Sequence, residues 1–165
     1  MNPFPSDVVS KLTGTKCGKN PRMDTYVSFH NKTQEQVDAD LRYHQSLAKE
    51  GGFSADEYST PGCAIPYENL KELLRLKIVS GEDGHNESPS VDEFLKILKP
   101  LAKHIRFMGY VIYPPRNDAR VSIDGFFIEG VDKETIKKIQ KKFHSADEID
   151  VVENKESFDG RFWWD

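Results

Sequence analysis

Two apolar, β-rich runs, Ile105 to Tyr113 and Arg120 to Ile128, are separated only by Pro114-Pro115-Arg116-Asn117-Asp118. Strands joined by so short a turn-forming segment pair antiparallel, as a hairpin. Helix signals flank the pair. Ser90 with Glu93 forms a capping box ahead of Phe94, Leu95, Ile97, Leu98 and Leu101, and Pro100 ends or kinks that helix by removing a backbone donor. Asp132 caps a second helix running to about His144, with Ile136, Ile139 and Phe143 as its inner stripe and Val131 placed to staple onto Ile136. Glu148 to Val152 and Phe158 to Trp164 read as two further short strands.

From Ser90 onward the order is helix, strand, strand, helix, strand, which resembles most of a ferredoxin-like split βαβ unit. Leu76 to Val79 is the candidate for its missing first strand, although Lys77-Ile78-Val79 can equally extend the helix predicted from Tyr67 to about Leu76. The predicted fold class is therefore α+β: an antiparallel sheet with helices packed on one face and a helical or irregular N-terminal part. That part contains an irregular arm to about Met23, a short strand Tyr26 to His30, and a helix opened by Thr33 and Gln36 that runs toward Lys49. Ser54 and Glu57 repeat the capping pattern, but Pro61-Gly62 closes it almost at once. The polar stretch Ser80 to Pro89, broken by Gly and Pro, is a loop or internal linker. We expect one domain over 1–165, with a helical subdomain 1–79 and an α+β subdomain 90–165 as its internal division.

Composition limits the function classes. At 165 residues the chain fills one core, and ten Phe, six Tyr and two Trp are too many aromatics for a disordered chain. A net charge of −4 is less basic than a dedicated duplex-DNA binder needs and far less acidic than a nucleic-acid mimic. Cys17 and Cys63 stand alone, and the start Met1-Asn2-Pro3-Phe4-Pro5 lacks the pattern of a signal peptide. No run approaches the roughly 20 apolar residues of a membrane span. The expectation is a cytoplasmic, reduced protein that binds no membrane.

Catalytic and metal-binding patterns are weak. His30, His44, His85, His104, His144, Cys17 and Cys63 show neither a Cys-x-x-Cys pair nor a His-Glu-x-x-His helix, so no metal or cofactor is expected. There is no Gly-x-Ser-x-Gly elbow and no phosphate loop ending in Lys-Ser or Lys-Thr. Asp124 and Glu129, five residues apart on one strand, fall on opposite faces and read as solvent-facing rather than as an acid–base pair. An enzyme would need dispersed residues that converge in the fold.

Two surfaces remain. Asp147, Glu148, Asp150, Glu153, Glu156, Asp159 and Asp165 face only Lys155 and Arg161, and the chain ends Phe162-Trp163-Trp164-Asp165. Aromatic anchors in such a setting point to a protein partner, and the leading expectation is a non-enzymatic interaction module of inhibitor or adaptor type using Phe162, Trp163, Trp164 and Asp165. On a strand, Trp163 and Trp164 point to opposite faces, so one is buried and the other exposed. The alternative is nucleic-acid binding by the basic helix 133–142 and the hairpin 105–128, through Arg106, Tyr110, Arg120, Lys137 and Lys141. No RNA-recognition signature accompanies that set, and lysines on a helix are commonly a solvated face.

Overall fold

The computed structural model describes residues 4–15, 59–61, 64–114 and 118–165. The predicted strand Tyr26 to His30, the helix from Thr33 toward Lys49, the Ser54/Glu57 pattern and both cysteines lie outside them. In chain order the elements are α1 (Ser6–Thr13), β1 (Ser59–Pro61), β2 (Ile65–Pro66), α2 (Tyr67–Arg75), α3 (Val91–Leu98), a 3-10 turn (Lys99–His104), β3 (Ile105–Ile112), β4 (Arg120–Val131), α4 (Lys133–Lys142), β5 (Glu148–Glu153) and β6 (Phe158–Trp163). The fold is α+β. The sheet runs β1-β3-β4-β6-β5, with β2 also on β3, and every pairing is antiparallel.

Local chemistry explains most boundaries. Ser90 accepts a hydrogen bond from the Glu93 amide while the Glu93 carboxylate accepts one from the Ser90 amide, which satisfies two otherwise orphaned donors at the start of α3. Ser90→Ala is expected to cost about 1 kcal/mol in a urea titration. Pro100 sits in the 3-10 turn that finishes this helix. The Asp132 carboxylate accepts from the Thr135 amide at the start of α4, and this bond holds its pKa below the ordinary aspartate value.

Three expectations change. The N-terminal arm begins with helix α1, which ends on Gly14 in the left-handed region (φ 70). Leu76 to Val79 is neither strand nor continued helix but a turn, with Lys77 at φ 59 and the amides of Ile78 and Val79 folded back onto the Leu73 carbonyl. The place of the missing strand is taken by the chain's last one. In a ferredoxin-like unit the first strand lies in the middle of the sheet, and here β6 lies there, between β4 and β5. The sheet order and directions are those of that unit, permuted so that its first strand comes last.

One cluster forms the core. Phe94 of α3 meets Phe107, Phe126, Phe143 and Trp164 at ring-centroid distances of 5.6 to 6.0 Å. Phe126 stacks on Phe162 at 4.9 Å. Val9 of α1, Leu70 and Leu73 of α2, and Ile136 and Ile139 of α4 join the same cluster. The helices thus cover the sheet face that bears Phe107, Phe126 and Phe162, and successive residues such as Arg106, Tyr110, Phe127 and Trp163 belong to the other face.

Candidate functional site

The C-terminal hairpin β5–β6 ends the sheet and carries the acidic, aromatic tail. Its register is unbroken from Glu148↔Trp163 to Glu153↔Phe158. The turn is pinned by Asp159, whose carboxylate accepts from the Gly130 amide and from Asn154 Nδ2, both at 2.8 Å. Arg161 is 14% exposed and grips Glu148 at 2.5 Å and Asp150 at 2.9 Å. The Asp165 amide donates to the Asp147 carboxylate at 2.9 Å, which fixes the chain end against the start of β5.

The four expected anchor residues separate. Phe162 and Trp164 are buried in the aromatic core, so their rings are not presented to any partner. Trp163 is half-buried on the opposite face, edge-on to Tyr110 at 6.0 Å, and Asp165 is exposed. Strand alternation separates the two tryptophans as expected, with Trp164 as the buried one.

The nucleic-acid set does not converge. Lys137 and Lys141 are exposed on α4, on the helical side of the sheet, and Lys138 beside them pairs with Glu134 at 2.8 Å. Arg106 and Tyr110 belong to the other sheet face, where the Arg106 guanidinium donates to the Ile105 carbonyl. Arg120 pairs with Asp118 at 2.7 Å at the far end of the hairpin.

Asp124 is a correction. The sequence places it in solvent by regular alternation, yet it is fully buried, whereas Glu129 is exposed as expected. The pairing passes from Met108↔Gly125 to Gly109↔Ile123, so Asp124 is the extra residue of a bulge. Gly109 makes this close approach feasible: a Cβ there would lie 1.9 Å from the Ser122 carbonyl oxygen. Ser122 Oγ donates to Asp124 Oδ2 at 3.0 Å, and the Asp124 carbonyl accepts from the Trp164 amide at 2.9 Å. Asp124 Oδ1 accepts no hydrogen bond from the described residues, and His85 Nδ1 lies 3.4 Å from it.

The loop that carries His85 is ordered by its own hydrogen bonds. His85 and Ser88 exchange amide bonds to Ser88 Oγ and the His85 carbonyl, across Asn86 (φ 51) and Glu87 (φ 61). Holding a glutamate left-handed costs about 1–2 kcal/mol, which the hydrogen bonds between His85 and Ser88 help to offset. Burial pushes the Asp124 carboxyl above its ordinary pKa. The Ser122 bond and the nearby His85 and Arg120 pull it back, and Asp165 pushes it up. A buried carboxylate beside a half-exposed imidazole can orient that ring and exchange a proton with it.

Sequence reasoning missed both the open β5 edge and this pair. An aspartate next to glycine inside the apolar run Val121 to Ile128 was the available signal for a bulge. Among the described residues no group of three or more His, Cys, Asp or Glu comes together to hold a metal ion, and no helix is long and apolar enough to cross a membrane. No family model, curated protein or solved structure matches the chain.

Proposed function

We propose that the protein is a non-enzymatic interaction module, of inhibitor or adaptor type, that engages another protein through its acidic C-terminal hairpin. The observation that carries this is Trp163: a half-buried indole held edge-on to Tyr110 at the end of a pinned hairpin, with the exposed Asp165 two residues on. A preoriented aromatic anchor loses little side-chain entropy on binding, and such anchors supply much of an interface's energy. A reduced, cytoplasmic setting belongs to the same proposal and is supported by only two, widely spaced cysteines in the sequence.

The test uses the immobilised full chain, Trp163→Ala, Trp163→Ala with Asp165→Lys, and Lys137→Glu with Lys141→Glu. The expected result is a retained protein that survives nuclease treatment, is lost at least about tenfold in the Trp163 variants, and is kept by the lysine variant. Retained material that is nuclease-sensitive and lost with the lysines would replace this proposal by nucleic-acid binding. Labelled oligonucleotides titrated from about 50 to about 200 mM salt would then show a steep loss of affinity.

A further inference from the structure

Among the described residues the sheet has one long unpaired edge. β5 pairs only with β6 among the described residues and leaves a six-residue edge, whereas β1 and β2 at the other side are three and two residues long. Edges are protected by charged side chains, lysine above all, by prolines or by bulges. β5, Glu-Ile-Asp-Val-Val-Glu, has no lysine, proline or bulge, and its charges are all acidic, so they repel an acidic strand but not a basic one. Val152 is 55% exposed, the most exposed large apolar residue described.

We propose that this edge receives an extended, basic segment of a partner protein as an added strand. The inference rests on the proposal that the C-terminal hairpin is a protein-contact surface, and it names the partner's chemistry. Main-chain hydrogen bonds to the open edge supply affinity and alternate side chains supply specificity. Glu148 and Asp150 share Arg161, while Glu153 has no ion pair among the described residues, so the edge keeps a net negative charge with its uncompensated carboxylate next to Val152. A lysine or arginine opposite Glu153 and an apolar residue against Val152 complement it. A second copy of this chain fits less well: antiparallel self-pairing centred on Asp150 sets that carboxylate against its own copy, and any self-pairing brings two strands of three acidic residues each edge to edge.

The probe is a labelled, end-blocked octapeptide of alternating Lys and Val, with alternating Lys and Gly as the control, titrated into the full chain. The expected result is saturable binding, slowed amide exchange at 148–153, and affinity weakened about tenfold or more in Val152→Lys and Glu153→Lys. Both positions are exposed, and unchanged melting temperatures verify that the variants fold. Equal binding of the Lys/Gly peptide without protection of β5 reduces the effect to charge and overturns strand addition. Absence of binding by the Lys/Val peptide, or a chain that is dimeric in light scattering and becomes monomeric on Glu153→Lys, also overturns it. A protein captured by the wild-type chain, lost with Trp163→Ala but indifferent to both β5 variants, overturns strand addition while leaving the contact surface standing. If neither variant set affects capture, the surface itself is wrong.

Discussion

Trp164→Ala is expected to destabilise the fold by about 3–5 kcal/mol, whereas Trp163→Ala costs about 1 kcal/mol. The two residues are neighbours with the same side chain, so the difference is entirely one of surroundings. Trp164 is 1% exposed and its ring packs against Phe94, Phe126 and Phe143, which belong to α3, β4 and the end of α4. Removing it opens a cavity where three elements meet, and a close-packed interior relaxes only partly around such a void. Trp163 has Tyr110 as its ring partner, and much of the exposed surface that it loses is already in water. Against a total stability of about 5–15 kcal/mol, the first change removes a large fraction and the second a small one. Urea unfolding followed by far-ultraviolet circular dichroism separates them, and equal midpoints would contradict the placement of the two rings. Replacing both together would report on folding rather than binding, so a binding test must leave Trp164 in place.

The parts of the fold written in local chemistry were legible from the residues alone. Ser90 with Glu93 and Asp132 with Thr135 are contacts within one turn of helix, and they start α3 and α4 where the sequence predicts. The β3–β4 hairpin is likewise set by alternation and a short connection. What the sequence could not display depends on contacts between distant segments. Leu76 to Val79 has an apolar composition suited to a strand, but the sheet slot it was assigned is filled by β6 from the other end of the chain. Phe162 and Trp164 read as anchors because they lie in an acidic tail. Tail position says nothing of the Phe94 and Phe126 rings that enclose them. Asp124 reads as solvent-facing in the sequence because strict alternation breaks at a bulge, whose cause, the close approach of Gly109 to Ser122, lies on the other strand.

Asp124 gives the stability a pH dependence whose sign follows from burial. Its carboxyl titrates above the ordinary aspartate value in the folded chain, first because burial disfavours the charge, with Ser122, His85 and Arg120 opposing and Asp165 adding to the rise. Between the unfolded pKa and the raised folded one, the folded state holds the extra proton. This contribution to stability therefore falls as the pH rises from the unfolded value through the folded one, and the full penalty is present above it. Asp124→Asn keeps an acceptor for Ser122 Oγ and removes the charge, so its stability is expected to be flatter across the same interval. His85→Ala takes away the imidazole whose Nδ1 lies 3.4 Å from Oδ1, and loss of a polar neighbour at a buried carboxylate costs about 1–3 kcal/mol. Because His85 is 45% exposed, water replaces part of the lost interaction and the lower end of that range is expected. The loss is largest where Asp124 is ionised and shrinks in acid, where the carboxyl is neutral. In Asp124→Asn the His85 substitution has little left to remove, so a double-mutant cycle measured at acid and neutral pH isolates the pair. An Asp124→Asn variant that keeps the wild-type slope would assign the pH dependence to other carboxylates.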